Sequence, residues 1–388
     1  DTTYITHYDT LNGGTDSTAN PAIEVLIFGD TNTPQIATDT LYVWAGDYFN
    51  YYYDASGNIN GSNYVGYDSL WFPTYTWYYG VPFEVIHEIE LGRVITPYGG
   101  YMANGTNGFN NNWEHRHTFD VTDYAQLLKD TVRLRAFYSG WSSGFDVTLE
   151  FEFIEGTPPR DVIRVENLYK GYFHYNDATD FETNKMPARN VDFNTTETTA
   201  RLKVTPSGHG FDNNVSCAEF CPKEYYINID GSLVFAEQIW QDNCGWNPIY
   251  PQGGTWIYNR ANWCPGGPVK TFVHELTNEY TPGNTVEIDY DLQNITWVGA
   301  QTPGYEMSVQ LVTYGDFNHQ VDAAIVDVLR PNNHENHSRY NPICDNPIVK
   351  IKNLGANTLQ NVDITYGVQG ANTPVSYTHL TLPTSDLV

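Results

Sequence analysis

Short apolar runs with a two-residue period recur along almost the whole chain, while a 3.6-residue period is nearly absent. The runs include IEVLIF from Ile23, TLYVW from Thr40, EVIHEIELG from Glu84, TVRLRAFY from Thr131 and DVTLEFEFIEG from Asp146. ARLKVTP from Ala200, KEYYINIDG from Lys223, TVEIDYDL from Thr285 and YEMSVQLVTY from Tyr305 continue the series. Each is bounded by Gly, Asn, Asp or Pro, and each presents one face to a core and the other to solvent. Many short strands at close spacing predict an all-β fold of antiparallel sandwich or jelly-roll type. One segment breaks the pattern. In DVTDYAQLLKD from Asp120, Tyr124, Leu127 and Leu128 share a side, which predicts one or two helical turns with Thr122 as a cap.

At 388 residues the chain exceeds one ordinary core and divides into modules. GTPPRDVIRVENLYKG from Gly156 reads as a polar crossing, which sets an N-terminal β domain at 1–158 and a second at 159–330. Beyond the Asn-, His- and Pro-rich break after Val328, residues 331–376 carry the strand–turn–strand pattern of a partial Ig-like module. The end from Tyr377 to 388 has little turn logic and reads as an artefactual or disordered tail. GNINGSNYVGYDSLWFPTYTWYY from Gly57 is loop-like but crowded with aromatics. It and YFNYYY (Tyr48–Tyr53) read as a core cover or cross-strand ladder, or as a platform on which sugar rings stack.

Charge narrows the function. Nineteen basic against 46 acidic residues give a net charge of -27, which leaves no positive field for nucleic acid or an anionic membrane. No stretch reaches the roughly 18 apolar residues of a membrane helix. The acidic, Asn/Thr/Gly/Tyr-rich and Lys-poor composition suits an extracellular or cell-surface protein whose signal peptide has been removed. Cysteine placement agrees. The spacings Cys217/Cys221 and Cys244/Cys264 read as two local disulfides, with a zinc site completed by His209 and His274 as the alternative. Cys344 is left without a local partner.

Several segments then form an ordered set: GRVITPYG (Gly92–Gly99), FDVTDYAQLL from Phe119, SGHGFDNNVSCAEFC (Ser207–Cys221) and NRANWCPGG (Asn259–Gly267). Together they resemble the peptide-N-glycosidase F family of secreted bacterial amidases, which release whole N-linked glycans from asparagine. The resemblance covers residues 82–330. It implies two eight-stranded jelly rolls side by side with an active site in the cleft between them, and it implies the same two disulfides. No cofactor and no metal enter that chemistry. It requires an activated water, a stabilised oxyanion and a protonated nitrogen leaving group.

Residue by residue, the family's glutamate between paired cysteines matches Glu219, its cleft arginine matches Arg260, and its cleft tryptophan matches Trp141. The family's strand glutamate is replaced by Ser139. Its essential aspartate, set in an acidic-Trp-Asp-Arg string, has no clear counterpart. Asp47, after the TLYVW strand, is the first substitute and Asp54 the second, although an ordinary turn aspartate is the simpler role for either. His209 lies between two glycines ten residues before Glu219 and reads equally as a cleft polar residue or a turn residue.

Smaller signals carry plain readings. HEIELGR from His87 lacks the second histidine of a zinc-protease helix. His115 and His117 in WEHRH can meet on one face of a strand, or be simply solvated. Six Asn-x-Ser/Thr matches are what the composition would produce by itself, and no acidic loop has calcium-loop spacing. The expectation is therefore a secreted amidohydrolase of this family acting on N-linked glycopeptides, weakened by its missing carboxylates. A non-enzymatic surface protein that binds glycans or assembles through aromatic loops and β-edges is the alternative.

Overall fold

A computed structural model describes residues 3–5, 15–16, 22–27, 39–43, 46–53, 56, 58–68, 88–110, 112–140, 145–174, 178–211, 218–293, 303–334, 337, 347–367 and 375–378. The described residues are almost wholly β or irregular, with only short helical turns. The chain divides into two compact units, Asp1–Glu88 and Ile89–Val388.

In the first unit, β1 (Thr3–Ile5), β3 (Ala22–Ile27) and β4 (Asp39–Val43) form one antiparallel sheet, in the order β1-β3-β4. β2 (Thr15–Asp16), β5 (Gly46–Tyr53) and β6 (Ile59–Asp68) form another, in the order β2-β5-β6. The segment read as a loop from Gly57 is thus in part a strand. The Tyr48–Tyr53 run lies within β5, where Phe49 stands opposite Tyr64 and Tyr51 opposite Ser62.

The second unit is built on eight strands: β7 (Arg160–His174), β8 (Arg189–Asp192), β9 (Thr199–His209), β10 (Lys223–Ile229), β11 (Ser232–Ile239), β12 (Phe272–Glu275), β13 (Thr285–Leu292) and β14 (Gly304–Phe317). They form two four-stranded sheets, β12-β9-β14-β7 and β11-β10-β13-β8, with antiparallel pairing throughout. The first strand lies beside the last and the second beside the next-to-last, which is the wrapped pairing of a jelly roll. Tyr225, Ile227, Ile288 and Tyr290 from one sheet and Leu202, Val204, Met307, Val309 and Leu311 from the other belong to one core cluster. β13 buries alternate residues, as its sequence predicts. β9 and β14 are buried on both faces, because the segment 89–124 covers their outer side. There Tyr124 donates to Gln310 at 2.6 Å, and Tyr314 donates to Asp123 at 2.7 Å.

Four expectations change. The stretch from Gly156 is a crossing only as far as Pro159; from Arg160 it is the long strand β7, two of whose arginines find partners within the domain. Arg160 pairs with Glu275 at 2.8 Å, and Arg164 pairs with Glu197 at 2.9 Å. The helical turn at Thr122–Leu127 forms as a 3-10 helix. Asp120 Oδ1, not Thr122, accepts the first free N–H, at 3.0 Å. The described residues between 88 and 159 hold no strand beyond an isolated bridge of Val94 to Pro268. The runs from Thr131 and Asp146 are therefore not strands, and no jelly roll is formed by the described residues of 1–158. Period alone gives a strand its faces but not its hydrogen-bonding neighbour. Lastly, β15 (Ala323–Arg330) pairs with β16 (Ile348–Asn353), so the sheet break falls after Phe317 rather than after 330. β17 (Asp363–Tyr366) pairs with β18 (Val375–Thr378), which takes the supposed tail up as strand through Thr378.

Candidate functional site

β9 ends in Ser207, Gly208 and His209, and the chain turns at Gly210, whose φ of 74° suits glycine. The loop that follows returns to the same place. Glu219 N donates to Gly210 O at 2.9 Å, and Ala261 N donates to Glu219 O at 2.9 Å. Gly208 lies beneath this junction and donates to Ala261 O at 3.1 Å. A Cβ on Gly208 would stand 2.5 Å from Ala218 O and 2.7 Å from the Ala261 Cβ. The missing side chain thus lets the Glu219 loop and the 259–263 segment close on the strand end.

Glu219 faces Arg260. Arg260 Nε donates to Glu219 Oε1 at 3.1 Å, with the arginine fully buried and the carboxylate side chain 15% exposed. The remaining guanidinium N–H groups donate to Tyr258 O and to Thr255 O and Oγ1, the latter two at 2.8 Å. The rings of Trp263 and Phe220 stand 4.8 and 4.9 Å from the guanidinium carbon, and Tyr98 stands 5.5 Å away. A buried cation so enclosed fixes the carboxylate in front of it. Tyr98 is raised above the usual phenol range by burial, against the pull of Arg260.

His209 is drawn into a second network. Its Nε2 lies 2.8 Å from Ser207 Oγ, and its ring stacks on Trp263 at 5.1 Å. Arg93 donates to the same Ser207 oxygen at 2.9 Å, to Glu306 O at 2.9 Å, and to both oxygens of Glu90 at 2.8 Å. Burial, with Arg93 nearby, lowers His209 to about 4. The imidazole is neutral at pH 7, and we assign Ser207 as donor to Nε2. Glu306, opposite Ser207 in the sheet register, is raised by burial. Tyr172, opposite Glu306 in β7, is pushed up to about 12 by burial and by Glu306 and Glu219.

The structure therefore brings together Glu219, Arg260 and His209 from the sequence reading. Arg260 stands behind Glu219 rather than at the surface. Ser139 lies on an exposed stretch outside any strand. Trp141 and Cys217 lie outside the described residues. Asp47 is the second residue of β5, opposite Tyr67, in the other unit. Asp54 and Cys344 lie outside the described residues. Cys244 and Cys264 are joined, and Cys221 is disulfide-bonded. His274 is a core residue: it is buried, meets Tyr225 Oη at 2.6 Å and stacks on Phe235. Arg93, Tyr98, Ser207, Trp263 and Glu306 were missed as site residues. All but Glu306 stand inside the segments GRVITPYG, SGHGF and NRANWCPGG, which was the available signal.

Residues 174–313 match the family model described as peptide-N-glycosidase F, C terminal. Peptide-N(4)-(N-acetyl-beta-D-glucosaminyl)asparagine amidase F of Elizabethkingia miricola is 31% identical over 228 residues, covering 55% of this chain and 60% of that protein. The solved structure of recombinant peptide N-glycanase F is 30% identical over 39% of this chain and 51% of its own, with a TM-score of 0.35. That of PNGase F, a glycosylasparaginase from Flavobacterium meningosepticum, is 28% identical over 42% and 55%, with a TM-score of 0.38. The chain matches no more than 60% of the length of these proteins. The domain that carries Glu219 and Arg260 is thus similar to the C-terminal domain of peptide-N-glycosidase F.

Proposed function

We propose that the chain is an extracellular amidohydrolase of reduced rate, which takes N-linked glycopeptides at Glu219 and hydrolyses the glycosyl–asparagine amide. The observation that supports this most is Glu219 itself, held between the β9 end and the Arg260 segment with one oxygen on the guanidinium. Its second oxygen is free to take a hydrogen bond or a proton from a ligand or a water. The Cys244–Cys264 disulfide and a disulfide-bonded Cys221, two residues from Glu219, suit an oxidising compartment. The reduced rate follows from what accompanies Glu219. His209 is neutral down to about pH 4 and is engaged by Ser207, and Ser139 carries no charge where the family resemblance puts a glutamate. One missing acid–base group costs roughly 10²- to 10⁴-fold in rate. In this reading Asp47 remains the first candidate for a second carboxylate.

The test is release of N-glycans from a denatured glycopeptide, measured for the wild type and for Glu219→Gln, which keeps an acceptor for Arg260. Slow release that is abolished in the variant supports the amidase. No release by the wild type, with glycopeptide binding that Glu219→Gln weakens, replaces it with a glycan-binding protein. Ser139 favours that second reading. Neither release nor binding overturns both.

A further inference from the structure

His115 and His117 are not simply solvated: they meet on one side of a stretch that is not a strand, and a second segment joins them. Positions 113, 115, 117 and 119 are partly buried while 114, 116, 118 and 120 are exposed, so Glu114 and Arg116 face outward and both imidazoles face inward. The His115 and His117 rings are 4.6 Å apart. His334, in the turn after β15, stands 6.3 Å from His115, and His337 stands 6.0 Å from His334. His337 Nε2 lies 3.6 Å from Asp327 of β15. The four rings run as a chain, His117–His115–His334–His337, instead of gathering round a point. Among the described residues no three His, Cys, Asp or Glu side chains are placed to hold a metal.

One end of this chain is buried and the other lies beside a carboxylate. Nδ1 of His117 is buried and makes no hydrogen bond. A neutral imidazole tolerates that, because an unprotonated ring nitrogen is only an unused acceptor. A second proton would bury an N–H with no acceptor and a positive charge next to two more imidazoles, each of which raises the cost. The titratable groups that act on His117 are His115 on its own segment and His334 on the facing turn, and both oppose its charge. The facing element adds His337, with Asp327 beside it. His337 N donates to His334 O at 2.9 Å, and His334 N donates to Asn332 Oδ1 at 2.7 Å.

We propose that this histidine chain is an acid-released latch, which holds the turn after β15 against the 113–117 segment when neutral and lets it go when it protonates. The direction follows from linkage. Burial, then His115 and His334, lower His117 to about 4 from an ordinary 6.5. The closed form thus excludes a proton that the open form takes up. Stability of the latch is full above about pH 6.5 and is lost as pH falls toward 4. From that single group the open population rises by at most about 30-fold between pH 7.5 and pH 5, since His115 stays beside His117 when the turn leaves. The turn it would free is the one in which the sequence places the break between the second domain and the C-terminal module.

Hydrogen–deuterium exchange of the whole chain, corrected for the intrinsic pH dependence of exchange, tests this on peptides covering 109–118 and 329–337. The expected result is a joint loss of protection in both between pH 7.5 and pH 5, with strands β9 and β14 unchanged. His117→Phe, which keeps a ring and removes the titration, should flatten that dependence. Equal acid opening in His117→Phe would overturn the latch. Should that variant fold poorly, an NMR titration of wild-type His117 decides: titration below about pH 5 supports the proposal, and titration near 6.5 overturns it.

Discussion

The jelly roll from Arg160 to Phe317 and the stretch from 131 to 155 carry the same alternating sequence pattern, yet only the first forms sheets among the described residues. In β14 the alternation YEMSVQLVTY sits between β9 and β7, with neighbours on both edges and a covered outer face. In the 146–155 run the same alternation leaves Phe153 70% and Ile154 85% exposed. A period of two residues prepares a face for burial, but the free energy comes from the apolar area removed from water when a second layer covers it. The pattern is thus a necessary condition. Its fulfilment depends on residues far away in the chain.

Matched substitutions sharpen the contrast, and the largest effect should come from the core. Leu311→Ala, at a fully buried position of β14, should cost about 2–5 kcal/mol, while Phe153→Ala should stay within about 0.5 kcal/mol. Denaturant melts of both measure it. A large loss at Phe153 would break the comparison and show that the 146–155 run is packed in solution. Glycines give the next effect. Gly208→Ala forces the Ala218 carbonyl and Ala261 to move and should destabilise by about 1–3 kcal/mol, whereas Gly156→Ala meets nothing within 4 Å and should be neutral or stabilising by up to about 1 kcal/mol. Loss of ligand binding at Glu219 should accompany the first and not the second.

The smallest expected effect is a pH trend confined to the jelly roll. Burial, then hydrogen bonding and repulsion from Asp291, raise Glu182 to about 8. Between the ordinary glutamate range and pH 8 the folded state holds a proton that the unfolded chain releases. Stability from this group is present at low pH and falls as pH rises. Glu182→Gln should therefore melt above the wild type at pH 9, with the difference shrinking at pH 5. An equal difference at both values would reject the assignment.

What the sequence disclosed follows the same divide. TVEIDYDL and YEMSVQLVTY read correctly as strands because their apolar positions do in fact face the other sheet. Glu219 and Arg260, singled out from two short motifs, do pair in the structure, and the Cys244–Cys264 link was legible from spacing. Arg93 was not. It reaches Ser207 across 114 positions, and no local pattern announces such a contact. β7 was not read as a strand because two prolines precede a mixed polar stretch there, whereas Arg160 and Arg164 of that stretch pair with Glu275 and Glu197. The Thr131 and Asp146 runs failed in the opposite direction, since their local signal was sound and no partner strand forms beside them among the described residues.

The burial of Arg260 has a bearing on selectivity. A guanidinium with no exposed surface, directed to two backbone carbonyls, a threonine hydroxyl and Glu219, has no charge to lend to a guest molecule. What a guest meets at this place is the outer oxygen of a carboxylate, an acceptor on a chain already at -27. Sialic acid or sulfate groups gain no counter-ion from Arg260, and hydroxyl and amide N–H donors are favoured there. On the proposed function, this site would therefore take the neutral one of two glycans of equal size.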